Sequence, residues 1–267
     1  MYQLHAIKYA ELNGRKRTDL FVGGDPHDGR IDMDYFIWVA IHVDRRTAVV
    51  VDTGFGPEVA AKRGRSVLRS PVEPLATLEV EAGAVRDVIV THLHYDHAGN
   101  FALFPNARFH LQDRELAFAT GRAMTHPFLR QVYEVEDVVT MIRLVYRDRV
   151  VFHAGDEEIV PGIGVHRIGG HPRGLQVVTV ATERGTVVLA SDASHYYENF
   201  EQGRVFAIVD SAYEMLEGFR RVQVLAARPD LIVPGHDPEV LRRYPPSMPS
   251  LAGVAVTLDQ EPRTRPS

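Results

Sequence analysis

The 267-residue chain contains no cysteine. That removes disulfides, thiolate metal ligands and cysteine nucleophiles at once, so any metal has to be held by nitrogen and oxygen. Long apolar runs are missing too. The longest, 35-YFIWVAI-41, falls far short of the roughly 18 residues that suggest a membrane span. Basic residues are not concentrated: formal net charge is −5, and the tightest basic cluster, 15-RKR-17, reads as a solvated turn. Phosphate neutralisation needs a basic face, so neither nucleic acid nor a membrane is an expected partner. The opening stretch MYQLHAIKYAELN has no basic flank leading into an apolar block, so no signal peptide is expected and the cytoplasm is the expected location.

What is present is an ordinary globular composition, 45% hydrophobic and 24% charged, without repeats or low-complexity linkers. One domain over residues 1–267 is expected, with the polar, proline-containing stretch 258–267 as a frayed tail. Strands are expected at 35–43 and 47–51, joined by 44-DRR-46 and running into 52-DTGFG-56. Others are expected at 86–90, at 107–111, as a hairpin across 177–192 around 183-ERG-185, in 230-DLIVPGH-236, and in GVAVTL near the C-terminal end. Residues 112–121 predict a short helix stopped by Gly121. Residues 210–228 predict an amphipathic one, with Tyr213, Leu216, Phe219, Val222 and Leu225 on its packed face. Segment 122–147 reads as helical cover, or as a flap whose Phe128, Tyr133 or Met141 overhang a pocket. Hairpins precede helices, which favours an α+β chain with a sheet-on-sheet core and helices outside over strict βαβ winding.

The chemistry is concentrated in 90-VTHLHYDHAGN-100, immediately after the apolar run 88-VIV-90. Imidazoles and a carboxylate at the end of a buried strand are poor core residues, because burying them unpaired costs several kcal/mol. A divalent cation offsets that cost, and this donor set suits zinc, iron or manganese. His92 and His94 alternate by two and point the same way from an extended segment. Asp96 and His97 follow at a turn and can serve an adjacent position, so two metal sites are expected. Further ligands are available at three strand exits, 169-GGHP-172, 190-ASDAS-194 and 234-PGHD-237, giving His171, Asp192 and His236.

With 52-DTG-54 upstream and those three residues downstream, 91-THLHYDHAGN-100 resembles the metallo-β-lactamase superfamily, over residues 30–257. The resemblance implies a four-layer αββα sandwich of two mixed β-sheets flanked by helices, with two divalent ions, Zn²⁺ foremost, at one edge. It implies that His92, His94 and His171 hold the first ion, that Asp96, His97 and His236 hold the second, and that Asp192 bridges them. Asp52 would support the histidine loop from behind. The superfamily hosts many reactions. β-Lactamases with two zincs commonly have cysteine at the Asp192 position. Glyoxalase II carries a helical domain after its last ligand, longer than the stretch printed beyond His236. The nucleases need a basic surface or arm.

The stretches 169-GGHPRGLQVV-178 and 189-LASDASHYYENF-200 are similar to the N-acyl homoserine lactonases and γ-butyrolactone-hydrolysing relatives, which implies a quorum-quenching type of lactone hydrolysis by a metal-bridging hydroxide. Where those enzymes place a tyrosine three residues after the bridging aspartate, this chain has His195, followed by Tyr196 and Tyr197. His195 or Tyr196 is therefore the expected hydrogen-bond donor to the lactone carbonyl, and Asp96 the expected proton carrier to the leaving oxygen. Pocket walls are expected from Phe101, Phe104, Phe128 and Tyr133. The expected partner is a small lactone or ester, and lactonases of this kind are often homodimers. The competing expectations are a thioesterase or esterase, a persulfide dioxygenase-like enzyme with a single iron, and a non-catalytic binding module on the same fold.

Overall fold

The computed structural model describes residues 1–25 and 27–263. Its first sheet is built from β1 (Tyr2–Lys16), β2 (Arg30–His42), β3 (Ala48–Val51), β4 (Ser66–Val67), β5 (Asp87–Ile89), β6 (Arg108–Gln112) and β7 (Val150–His153). The second sheet contains β8 (Glu157–Val160), β9 (Ile163–Arg167), β10 (Gln176–Thr182), β11 (Gly185–Ser191) and β12 (Ile232–Pro234). The last strand, β13 (Ala255–Thr257), returns to the first sheet beside β1. Both sheets are mixed: β3, β5, β6 and β7 pair in parallel, as do β11 and β12, and the other ladders are antiparallel.

Alternation along β2 explains the layering. Phe36, Trp38 and Ala40 enter a core shared with Val178, Val180 and Leu189 of the second sheet. Their neighbours Tyr35, Ile37, Val39 and Ile41 enter a different core with Leu75, Val138, Met141 and Leu144. Successive side chains leave a strand on opposite faces, so a run buried on both sides marks a strand between two layers. The outer layer on the first sheet comprises α1 (Pro57–Arg63), α2 (Glu73–Thr77), α3 (Asp113–Ala119), α4 (Pro127–Arg130) and α5 (Val135–Val145). After β11 come α6 (Tyr197–Gln202), α7 (Ala212–Ala226) and α8 (Glu239–Arg243), with α7 packed on β10, β11 and β12. The αββα sandwich expected from the sequence is the fold observed.

Several local expectations are corrected. The 15-residue β1 was not expected, because irregular register at Lys8/Ala10 and Leu12/Arg15 breaks its two-residue period. The 15-RKR-17 cluster is no free turn: Arg15 and Lys16 close β1, and Arg17 pairs with Glu198 at 2.5 Å. On α7, Phe219 and Val222 are buried as expected, but Tyr213 and Leu216 are exposed. The buried stripe runs instead through Met215, Gly218, Phe219, Val222 and Ala226. A Cβ on Gly218 would sit 2.5 Å from Ile168 Cγ2, so a residue with no hydropathy signal makes the closest approach. Of the expected tail, Leu258 is fully buried and Asp259 accepts the Leu4 N–H at 2.9 Å; residues 264–267 lie outside the described residues. Among the described residues no helix is long and apolar enough to cross a membrane.

Candidate metal centre

The parallel ladders bring four strand exits to one edge. Asp52 follows β3, the 90–97 loop follows β5, Asp192 follows β11 and His236 follows β12, while His171 lies on the loop from β9 to β10. Two glycines make the approach possible. Gly54 has φ +68°, and a Cβ there would lie 2.7 Å from Tyr9 Cζ. A Cβ on Gly235 would lie 2.7 Å from Ser191 O and 3.1 Å from Asp192 Oδ1. Only a bare backbone fits at either position.

The side chains converge on Asp192. His171 Nε2 and His195 Nε2 lie 3.0 Å from its Oδ2, and His92 Nε2 lies 3.6 Å away. Its other oxygen, Oδ1, faces His97 Nε2 at 3.1 Å and His236 Nε2 at 2.9 Å. Asp96 Oδ2 is 3.8 Å from His97 Nε2 and 3.7 Å from His236 Nε2. Three groups of donor atoms each lie within 4.8 Å of one another: His92, His94, His171 and Asp192; Asp96, His97 and His236; and Asp192, His195 and His236. The first two are the sets expected from the sequence. The third, with His195, was not.

Tautomers test whether cations fit. His97 Nδ1 donates to Asp52 Oδ2 at 2.7 Å, His171 Nδ1 to Ile208 O at 2.5 Å, and His236 Nδ1 to Asp34 O at 2.9 Å. A ring whose Nδ1–H is engaged presents a bare lone pair at Nε2. The Nε2 atoms of His92, His97 and His171 are buried with no hydrogen-bond partner among the described residues. Lone pairs and carboxylate oxygens facing one another in a dry site repel, and a divalent cation between them removes that repulsion. The donor set fits metal.

Titration directions show how strongly the carboxylates draw positive charge, from a proton or a cation, to this point. Burial holds His92 and His94 far below the ordinary histidine range, with neighbouring imidazoles adding to the effect. Burial also disfavours charge on His97, but Asp192, Asp52 and Asp96 outweigh it and raise that ring. Burial works against the Asp192 carboxylate, yet His195, His97 and His236 hold it well below the usual range. The cluster stabilises positive charge at its centre.

Behind the cluster, Asp52 accepts the Thr91 N–H at 2.7 Å and the Thr91 hydroxyl at 2.8 Å besides His97. Sequence reading missed Glu115, which is buried on α3. Its Oε1 accepts Leu93 N–H at 3.0 Å and the Tyr133 hydroxyl at 3.1 Å, and its Oε2 accepts Gly174 N–H at 3.2 Å. It thereby joins the histidine loop to the loop carrying His171. Burial raises it to about 7, although all three partners are donors. Glu115→Gln turns one amide N–H toward a donor, so we expect an order-of-magnitude loss of about 1–3 kcal/mol in stability and about 10–100-fold weaker metal retention. Denaturant midpoints and competitive chelation check both.

A cavity of about 230 Å³ opens above the cluster. His94, Asp96, His171, Asp192, His195 and His236 line it. His195 stacks on Phe206 (centroids 3.5 Å apart, planes 9° apart), which fixes its ring over the cluster. Tyr196 is not brought there: its hydroxyl donates to Asp32 O at 3.3 Å and its ring packs near Phe21 and Phe206. Helix α6 begins at Tyr197, and the turn into it carries Tyr196 away. The expected aromatic walls are also displaced. Phe101, Phe104 and Met141 are buried in the core against the first sheet, and Phe128 is exposed. Tyr133 lies edge-on to His94 at 4.7 Å, behind the ring. Segment 122–147 reaches the cavity through Gln131 and Val132 instead, and Val132 O accepts the Tyr95 N–H at 3.0 Å.

Known proteins share parts of this sequence and this fold. An N-acyl homoserine lactonase of Bacillus cereus is 31% identical over 153 residues, which is 57% of this chain and 56% of that protein. The chain thus spans about half the length of the curated relatives it matches in this way. Another N-acyl homoserine lactonase, from Bacillus sp, is 27% identical over 222 residues, 78% of this chain and 83% of the other. The crystal structure of a quorum-quenching N-acyl homoserine lactone lactonase shares the fold with a TM-score of 0.73 at 24% identity, covering 89% of this chain and 92% of that one. The profile of the metallo-beta-lactamase superfamily matches residues 34–236, a span that contains all seven side chains expected to bind metal. By that match and by its two mixed sheets flanked by helices, the chain belongs to the metallo-β-lactamase superfamily.

Proposed function

We propose that this protein is a hydrolase that binds two divalent cations, zinc by preference, and opens the ring of a small lactone. The observation that carries this reading is the division of Asp192, one oxygen toward His92 and His171 and the other toward His97 and His236. Similarity to proteins named N-acyl homoserine lactonases supports the choice of lactones. His92, His94 and His171 would hold one ion, Asp96, His97 and His236 the other, with Asp192 between them. When bound, the ions supply Lewis acidity and a water acidic enough to attack a carbonyl near neutral pH.

The chain's own groups do the rest. Among the described residues His195 Nδ1 is buried with no hydrogen-bond partner. Such a nitrogen costs less as a bare lone pair than as an N–H, which leaves the ring proton on Nε2, at the cavity. Burial holds the ring neutral, with its pKa lowered to about 3. The Nε2–H, 3.0 Å from Asp192 Oδ2, would be shared between that carboxylate and a lactone carbonyl oxygen as charge develops on it. Asp96 lines the same cavity. Its carboxylate takes the proton released by the attacking water and returns it to the ring oxygen that leaves.

Purified protein should contain two zinc ions per chain and release protons from γ-butyrolactone and acyl-homoserine lactones. Turnover of a thioester or phosphodiester with none of any lactone would replace this reading, and a single iron per chain would favour an oxidoreductase. His195→Ala should lower kcat/KM by about 100-fold, mostly through kcat. An unchanged value removes His195 from the chemistry.

A further inference from the structure

Three guanidinium groups, those of Arg15, Arg63 and Arg65, line the cavity beside the metal cluster. Their surroundings differ. Arg63 is neutralised by Glu134 at 2.6 Å and also donates to the carbonyls of Gln131 and Tyr133 at 3.0 and 3.2 Å. Among the described residues Arg15 has one carboxylate within ion-pair distance, Asp19 at 3.9 Å. Arg65 is half-buried, and among the described residues no carboxylate lies within ion-pair distance of it; Asp96 attracts it from farther away. Its Nε donates to the Tyr95 hydroxyl at 3.1 Å and its Nη1 to Arg63 O at 2.5 Å, while among the described residues Nη2 makes no hydrogen bond within 3.5 Å.

This cation is held in place. The Tyr95 hydroxyl is within 3.1 Å of the Tyr35 hydroxyl, and the Tyr95 ring lies 4.0 Å from the Arg63 guanidinium. Tyr95 itself stands between His94 and Asp96 in the histidine loop, so Arg65 is anchored to the loop that carries the candidate ligands. A half-buried, oriented guanidinium with no carboxylate in direct contact is an arrangement that an anion completes, and its planar fork matches a carboxylate. The cavity of about 230 Å³ lies below the range of about 300–1,000 Å³ that takes drug-sized ligands. A small ring with a short charged substituent suits it better than a long neutral chain.

Resting on the lactonase reading, we infer that the preferred substrate is a small lactone bearing a carboxylate, which Arg65 binds with Arg15 nearby. A neutral acyl lactone would leave the Arg65 charge without a contacting anion in a partly dry site. The carboxylated ring brings a contacting counter-charge and is oriented by it.

The test compares γ-butyrolactone with the same ring carrying a carboxylate on the carbon beside the ring oxygen, using zinc-loaded wild type, Arg65→Gln and Arg65→Lys. Wild type should favour the charged ring, and added salt should erode the preference. Arg65→Gln should lower the charged-to-neutral ratio of kcat/KM by about 10–100-fold, mainly through KM, with partial recovery in Arg65→Lys. A wild-type preference for the neutral ring overturns the proposal. So does an equal loss on both rings, which would make Arg65 only a support for Tyr95. If neither ring is opened while another ester is, the lactonase reading fails; the ratio is then measured on that ester with and without a carboxylate, and decides the Arg65 claim separately.

Discussion

Asp192→Asn is expected to reduce bound metal from two ions per chain to at most one and to lower lactone turnover by about 10³-fold or more. The substitution keeps the shape of the side chain and changes only its charge and one donor atom. Wild-type Asp192 presents two acceptor oxygens to five imidazole Nε2 atoms between 2.9 and 3.6 Å away. An asparagine presents one acceptor and one N–H₂. That N–H₂ must face either the His171 side or the His236 side, where it blocks a cation. Elemental analysis after dialysis, with proton release from γ-butyrolactone, reads both effects. A variant that keeps two ions and stays within tenfold of wild type would show that Asp192 is not the bridge.

The second large effect concerns the core between the sheets. Trp38 is fully buried, faces Ala6 on β1 and Val51 on β3, and packs with the second sheet's apolar residues. Trp38→Ala should cost about 3–5 kcal/mol, the usual range for deleting a buried aromatic side chain. In a chain of this size that corresponds to a fall in Tm of roughly 10 °C. The indole Nε1–H has no partner among the described residues. Removing that donor relieves some strain, so the lower end of the range is expected. Trp38→Phe keeps most of the ring and removes the unpaired donor, and should lower the denaturation midpoint far less than Trp38→Ala. Equal effects of the two would mean that the site is not packed as tightly as its burial implies.

The strands that carry the chemistry were legible because hydrophobic runs end there at histidine or aspartate. Strands β5, β11 and β12 are largely buried and are followed within three residues by a ligand-type residue. Elements whose period is interrupted were not legible. Strand β1 slips register twice, and α7 packs through Gly218, which hydropathy does not mark. Glu115 gave no signal either. In sequence it is one acidic residue in the first turn of a short helix, where an exposed acid is common. Only the fold shows that its carboxylate closes on Leu93 and Gly174, residues 22 and 59 positions away.

The sequence by itself determined the kind of site. It contains no thiolate, five of its thirteen histidines and two aspartates stand at strand exits, and the spacing within residues 92–97 separates two pairs of donors. Tertiary structure alone decided what surrounds that site. Stacking on Phe206 turned His195 over the cluster, while the start of α6 carried Tyr196 away from it. Gln131 and Val132, not the expected aromatics, form part of the wall, and among the described residues Arg65 contacts the Tyr95 hydroxyl and no carboxylate. The physical reason is reach. A strand exit is a local event written in adjacent residues, whereas the direction of a side chain and the charge left unpaired near it depend on contacts with distant segments that no local pattern encodes.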